Sequence, residues 1–376
     1  MVRLGVLGCG DVAFRTYFNG LDAIADQVEV AAVCDPLAER AHRAAERFPG
    51  AVAYTSLDDL IAHRDLDGVL NLTPAPLHRD TTARLLEAGL HVYSEKPLAG
   101  TLADGQELID RAKEAGRLLL CAPAAMATPR VREMQRLIAE GAIGRPTHAF
   151  ARLGTMGPAG WADYTGDPAV FYGPGVGPAI DLGVYLITTI TGLFGPATRV
   201  QAMGGILIPE RISTIPRLSG QRIPVTTPDL ISMQLEFANN RYATIISSFA
   251  MPANRGPVIE VLGETGILAV QSELSYWIDQ TVDLFQFSES NAGPAGWSTL
   301  NVQPEEPILF SGPRHFAACI RGEETPVTTA EHALHVLEVM LAAQESIDSG
   351  QSVAVSAAVE ALVGADVTGP TANRPA

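Results

Sequence analysis

This 376-residue chain is predicted to hold an α/β domain with a parallel sheet, followed by a second domain in which strand patterns, one hairpin among them, lie between helices. Three observations predict that fold class. The apolar run Val2 to Leu7 ends directly in Gly8-x-Gly10-x-x-Ala13, and a helical pattern begins there. Apolar runs and helical patterns then alternate as far as Cys121, and the runs are apolar throughout, as in a parallel sheet covered on both faces. From about Pro146 the pattern changes to strands, with alternation of apolar and polar residues clearest from Ile231.

The glycine turn sets the first element. Gly8 permits a tight turn out of the strand, Gly10 leaves room for a pyrophosphate near the backbone, and Ala13 is small enough for close helix packing. The helix start at Asp11, Val12 and Ala13 offers free N–H groups to phosphates. A helix from Val12 to Ala25 leads to a second strand, Val28 to Cys34, ending in Asp35, 25 positions beyond Gly10. Strand, glycine turn, helix and acid together form a dinucleotide fingerprint. A carboxylate there accepts ribose hydroxyls and repels a 2′-phosphate, and no Arg follows at once, so NAD is favoured over NADP. The same carboxylate also suits the N-cap of the helix that runs to Phe48.

Further elements follow in order: strand Ala51–Tyr54, helix Leu57–His63, strand Gly68–Leu72, helix Leu77–Ala88, strand His91–Ser94, helix Leu102–Ala115 and strand Leu118–Cys121. Gly89 and Gly116 stand where two of these helices stop. Two loops leave the C-terminal ends of strands, where open α/β sheets bind ligands: Asn71-Leu72-Thr73-Pro74-Ala75-Pro76-Leu77-His78, and Ser94-Glu95-Lys96-Pro97-Leu98. His78 suits a cofactor contact or a helix start equally. Glu95 and Lys96 suit a site or an exposed ion pair.

Beyond Cys121, Arg130 to Gly141 reads as a helix. Ile231, Met233, Leu235 and Phe237 alternate with polar residues, Asn239-Asn240 supplies a turn, and Tyr242 to Phe249 completes a hairpin. Val258–Leu262 and Ile267–Val270 are further strands. Residues 209–228 carry prolines and no period, and are expected as a long loop. Glu331 to Ser346 is a final amphipathic helix, and from Ser356 the chain reads as a frayed tail. The expected division is 1–123, 124–355 and 356–376.

Composition excludes several classes. With 26 Lys and Arg against 42 Asp and Glu, the net charge of −16 disfavours nucleic acid and anionic membrane. Cys9, Cys34, Cys121 and Cys319 show no paired spacing, which fits a reduced, cytoplasmic setting. A strand beginning at residue 2 leaves no room for a signal peptide. The longest apolar stretch, Val184 to Phe194, is too short to span a bilayer. His332 and His335 lack a third ligand, so no metal is expected.

Gly8-x-Gly10-x-x-Ala13, Asp35, the Asn71–His78 loop and Glu95-Lys96-Pro97 together resemble the glucose–fructose oxidoreductase / inositol dehydrogenase (Gfo/Idh/MocA) family. Glu-Lys-Pro is the specific part. Gly175-Val176-Gly177-Pro178-Ala179-Ile180-Asp181-Leu182-Gly183-Val184-Tyr185 is similar to the family's Gly-Gly-Gly-x-x-x-Asp-x-Gly-x-His segment, and the likeness covers about residues 2–350. It implies a Rossmann domain holding NAD through Gly8, Gly10, Asp11, Val12, Ala13, Asp35, Asn71, Thr73, Pro74, His78, Glu95 and Lys96. It also implies a C-terminal α+β domain on a large, open, mostly antiparallel β-sheet, whose outer face makes homo-oligomer contacts, dimeric or tetrameric. The catalytic group carried over is Lys96, Asp181 and Tyr185.

Tyr185 departs from the family's usual His. A phenol's ordinary pKa is about 10, so its chemistry needs help. Two routes stay open: the Lys96 ammonium favours a Tyr185 phenolate, or Lys96, lowered by burial, moves the proton itself. Plain structural roles are a packed aromatic for Tyr185 and a helix-start charge for Asp181. Cys121 to Ala127 is more apolar than the family's usual cluster there, which favours a neutral substrate. Trp161, Tyr164, Phe171 and Tyr172 are candidates for stacking on sugar faces, Trp161 and Tyr172 foremost, or for packing under a loop. The expected function is NAD-dependent oxidoreduction at a secondary hydroxyl of a neutral sugar, glycoside or polyol. Redox-assisted glycoside cleavage or elimination with retained NAD, a non-catalytic NAD-binding regulator, and a bile-pigment-type reductase are the alternatives.

Overall fold

The structure, a computed structural model, describes residues 1–271, 277, 281–287, 296–302 and 308–356; the expected tail beyond 356 lies outside the described residues. Strands β1 (Val2–Leu7), β2 (Val28–Cys34), β3 (Val52–Tyr54), β4 (Gly68–Asn71), β5 (His91–Ser94) and β6 (Leu119–Cys121) pair in parallel, in the order β3-β2-β1-β4-β5-β6. The order reverses between β1 and β4. Leu7 pairs with Cys34 on one side and Asn71 on the other, so the glycine turn and the Asn71 loop leave the sheet side by side. Helices α1 (Phe18–Ala23), α2 (Ala38–Arg47), α3 (Leu57–Ala62), α4 (His78–Glu87) and α5 (Leu102–Ala115) cover the two faces. Ser56 and Thr101 cap α3 and α5, and Gly116 ends α5 in the left-handed region.

The rest of the chain contains α6 (Pro129–Ala139), β7 (Pro146–Gly154), α7 (Val184–Phe194), β8 (Ala197–Gly205), β9 (Glu210–Ile212), β10 (Arg222–Pro224), β11 (Leu230–Phe237), β12 (Arg241–Ser248), β13 (Ile259–Gly263), β14 (Gly266–Val270), β15 (Thr281–Gln286), β16 (Gly296–Asn301), α8 (Ile308–Ile320), α9 (Ala330–Ser349) and β17 (Val353–Ala354). Nine of these strands form one sheet, in the order β16-β15-β14-β13-β7-β12-β11-β8-β17. Its pairings are antiparallel except β7 with β12. Ile231, Met233, Leu235 and Phe237 are all buried, as their period of two requires, and Asn239 and Asn240 turn the hairpin with φ of 62° and 55°. No helix among the described residues is long and apolar enough to cross a membrane.

Every residue of α7 is buried between the large sheet and α9. Its threonines tolerate this because Thr189 and Thr191 donate to the carbonyls of Tyr185 and Ile187. Each buried Leu or Ile here contributes about 1.5–3 kcal/mol. This helix is the rigid base from which Asp181 and Tyr185 project.

Two expectations need correction, and one helix gave no sequence signal. Residues 209–228 are not one long loop: β9 and β10 pair antiparallel, Ile212 with Arg222 and Arg211 with Ile223. The periodic signal fails there because the inward residue Arg211 is charged. α8 gave no sequence signal, since Gly312 and Pro313 interrupt its pattern. It returns to the first domain, where Phe316 is buried against Tyr93 with ring centroids 6.0 Å apart. Residues 124–355 therefore do not form a unit apart from the Rossmann core.

Glu324, just beyond α8, ties α6 to α8 by accepting from Arg132, Arg314 and His315. Burial opposes its charge, but those hydrogen bonds prevail and hold its carboxyl at about 2. A depressed carboxylate stabilises the fold above its ordinary range near 4.5 and ceases to do so as pH falls toward 2. The difference in urea midpoint between wild type and Glu324→Gln is therefore expected to be constant above about pH 5 and to shrink toward zero near pH 2. A pH-independent difference would refute this assignment.

Candidate active site

Gly8 has φ of 93°, and a Cβ there would fall 2.7 Å from the carbonyl of Leu72, so glycine is required. A Cβ on Gly10 would meet nothing within 4 Å: the space a pyrophosphate needs is open. Ala13 is fully buried. The helix expected from Val12 begins with a π-helical turn, Ala13–Tyr17, before α1; Val12 caps it without a side-chain bond. Asp35 is buried at the end of β2. Its Oδ2 accepts from Cys9 N at 2.9 Å and its Oδ1 from Leu37 N at 2.9 Å, so it braces the glycine turn and caps the following segment. Spare lone pairs remain on both oxygens for ribose hydroxyls. These features fit a dinucleotide.

Other motif residues turn inward. Asn71 is wholly buried, with Nδ2 on Thr81 and Thr82 and Oδ1 accepting from Thr73. His78 is wholly buried, with Nδ1 2.7 Å from Pro97 O and Nε2 2.8 Å from Thr73 O. Glu95 accepts from Tyr17 Oη at 2.6 Å and from Lys96 N at 3.0 Å. Burial, with Glu95 beside it, holds the Tyr17 phenol far above its ordinary range, so it serves as the donor. The side chains of Asn71, His78 and Glu95 thus shape the loops through protein partners; Thr73 and Pro74 stay near the surface. Asp11 Oδ1 is likewise engaged by protein, accepting from Thr165 N and Oγ1.

Lys96 and Asp181 meet: Nζ donates to Oδ1 at 3.0 Å and lies 3.4 Å from the Asp181 carbonyl oxygen. Burial alone would pull the Lys96 pKa down. The Asp181 carboxylate, Tyr185 and Glu95 together outweigh it and hold the ammonium above its ordinary range. Lys96 Nζ also lies 5.7 Å from the centre of the Tyr185 ring. Asp181 sits in a second π-helical turn, Ala179–Gly183, that opens α7. Such turns recur at functional sites. Asp181 Oδ2 is buried and has no hydrogen-bond donor among the described residues. Trp277, which the sequence gave no reason to single out, packs edge-on against Tyr185 with centroids 4.8 Å apart.

The aromatic group divides. Trp161 is half-buried and meets Tyr164 and Phe171. Tyr172 is 1% exposed, accepts from Ala159 N at 3.0 Å and packs on Phe249. For Tyr172 the structure favours the packing role that the sequence also allowed, since the ring is buried and its hydroxyl accepts from the loop backbone. Ala122 to Ala127 is also buried; Met126 packs against α7 where Gly192 leaves space. That segment is core for most of its length, and Ala122 and Pro123 line a small cavity together with Lys96. His332 and His335 are structural: His332 Nε2 meets Thr191 Oγ1, and His335 Nε2 accepts from Ala197 N.

Residues 2–122 match the profile of the oxidoreductase family with an NAD-binding Rossmann fold, and residues 131–269 match the GFO/IDH/MocA C-terminal domain. The chain belongs to the GFO/IDH/MocA family, as an NAD-dependent oxidoreductase acting on CH–OH groups. It is 31% identical over 273 residues to a dTDP-3,4-didehydro-2,6-dideoxy-alpha-D-glucose 3-reductase from Actinomadura kijaniata, covering 69% of this chain and 79% of that one. The WlbA dehydrogenase of Chromobacterium violaceum, solved with NADH and UDP-GlcNAcA, is 24% identical with a TM-score of 0.74, covering 94% and 96% of the two chains. A super-repressor mutant of Gal80p from Saccharomyces cerevisiae is 18% identical with a TM-score of 0.80, covering 94% and 97%. The last two likenesses show the fold.

Proposed function

We propose that this protein moves hydride between NAD and a secondary hydroxyl of a neutral sugar, glycoside or polyol, gripped by Lys96 and Asp181 and deprotonated by Tyr185 as its phenolate, the form that the Lys96 ammonium favours. The carrying observation is Asp181 Oδ2, a buried carboxylate oxygen without a donor beside a paired ammonium. An unmade hydrogen bond at such an atom costs about 1–3 kcal/mol, and a substrate hydroxyl relieves it. A vicinal diol matches the arrangement: one hydroxyl donates to Asp181 Oδ2, while the reacting oxygen accepts from Lys96 Nζ. The raised Lys96 argues for a retained ammonium and against Lys96 as base, which leaves Tyr185 to take the proton. Bound NAD supplies the hydride acceptor. The sugar chemistry in the name of the Actinomadura relative supports the substrate class.

NADH formation with free sugars, glycosides and inositols, run beside Lys96→Ala, tests this. A signal that vanishes in the variant is expected. Silence with nicotinamide released on denaturation would favour retained-cofactor cleavage; silence without it would favour a regulator.

The outer sheet face supports a homo-oligomer, dimer or tetramer. Register pairing aligns Tyr242, His148, Leu262, Ile267, Phe285 and Trp297 in one row across six strands. Tyr242 is 43% and Trp297 52% exposed, an apolar stripe that a second copy would cover. Light scattering is expected to give a multiple of the 39.8 kDa chain mass, and Leu262→Arg to lower it. A monomeric wild type would end this proposal.

A further inference from the structure

Two contacts join the glycine turn to a segment of the second domain 154 positions away. Asp11 Oδ1 accepts from Thr165 N at 2.9 Å and from Thr165 Oγ1 at 3.0 Å. One helical turn on, Arg15 pairs with Asp11 Oδ2 at 2.8 Å, and its guanidinium carbon lies 5.1 Å from the Trp161 ring centre and 5.7 Å from that of Tyr164. The segment is anchored on its own side. Arg217 donates to the carbonyls of Tyr164 and Gly166, and Tyr172 holds Ala159. Its tip thus bridges to the residue next to Gly10, at the edge of the open space there.

We propose that residues 161–166 form a clasp over the mouth of the dinucleotide site, and that Asp11 and Arg15 are its catch. The inference rests on NAD binding and not on the identity of the substrate. The contacts suit a closure that opens and shuts. Thr165 is exposed and the Arg15 side chain is 41% exposed, so the partners that meet the 10% exposed Asp11 side chain reach it from the solvent side. Few buried contacts oppose local opening at such a place. The dinucleotide passes Gly10 to reach the helix N-terminus, so opening the clasp would gate both entry and exit. Trp161 then acts as part of the closure, presented by Arg15, whatever else it touches.

The two sides of the catch carry opposite charge, and this separates a gate from simple electrostatics. Asp11→Ala removes a negative charge from the phosphate-binding turn and Arg15→Ala a positive one. Charge alone would shift NADH affinity in opposite directions. A gate predicts that both variants raise the association and dissociation rates together. Stopped-flow NADH fluorescence on the full chain measures both rates without turnover. The expected result is a rise on the order of tenfold in each rate for Asp11→Ala, the barrier change of losing one or two hydrogen bonds. A rise in the same sense is expected for Arg15→Ala. Thr165→Val, at an exposed loop position with little bearing on folding, should raise both rates by less, because its N–H still reaches Asp11. Unchanged rates, affinities that move in opposite directions, or a faster dissociation alone would each overturn the clasp.

Discussion

Lys96→Ala is expected to lower kcat by about a thousandfold while NADH still binds, within the range that positioned proton-handling groups supply. Removing Nζ takes away the donor to the reacting oxygen and leaves the Asp181 carboxylate buried without its counter-charge. Lys96→Arg keeps the charge but not the point geometry, and should recover only part of the loss. Tyr185→Phe separates the two proton routes. If Tyr185 takes the proton, the loss approaches that of Lys96→Ala, with little change in KM for a substrate still held by Lys96 and Asp181. If Tyr185→Phe retains most of the turnover, the phenol only packs and orients, as its contact with Trp277 would allow. Lys96, despite its raised pKa in the free protein, would then be the proton carrier. Single-turnover rates of the three variants with the best substrate from the panel decide between them.

The parts of the site legible in the sequence are those fixed by local geometry. Gly8 could be read because a side chain at a tight turn after β1 has nowhere to go, and the Leu72 carbonyl is what it would strike. Asp35 was legible as a cap for the segment after β2 because its bond to Leu37 N is local, whereas its bond to Cys9 N, 26 positions away, gave no signal. Asn71, His78 and Glu95 were legible as positions but not as roles. A motif says that a polar side chain is needed near a strand end, not whether it faces ligand or backbone. Here all three face backbone or neighbouring side chains, holding the Thr73 and Pro97 loops at fixed places. Tyr172 shows the same limit from the apolar side, because an aromatic ring serves a sugar face and a loop core equally well. Trp277 against Tyr185, and Thr165 on Asp11, gave no signal because their partners lie far away in the chain. α8 was missed because Gly312 and Pro313 erase the periodicity that tertiary packing against Tyr93 restores.

Asp229→Ala is expected to destabilise the fold by about 3–5 kcal/mol, the cost of removing one partner from a buried ion pair. Arg211 and Asp229 pair at 2.7 Å with side chains 5% and 1% exposed. Asp229 also accepts from Leu207 N at 2.7 Å and Ile208 N at 3.1 Å, so the alanine variant strands a guanidinium and two backbone donors at once. Arg211→Met should cost less, because the carboxylate keeps both backbone partners while a side chain of similar bulk fills the space over Tyr172. Urea midpoints of the two single variants and the double variant give the coupling. Equal losses in all three would mean that the pair acts as one unit, and a loss under about 1 kcal/mol for Asp229→Ala would remove the pair from any account of stability. The lesion should also reach the cofactor. The Arg211 guanidinium carbon lies 5.6 Å from the Tyr172 ring centre, and the Tyr172 carbonyl accepts from Thr226 N, so the β9–β10 hairpin supports the ring that anchors residues 159–172. Loosening that anchor leaves Asp11 and Thr165 chemically intact but frees the segment between them. In conditions where the variant is still folded, NADH should therefore bind and leave faster in Asp229→Ala although no residue near the dinucleotide has changed, whereas a purely global destabilisation would leave the rates of the folded fraction as they were.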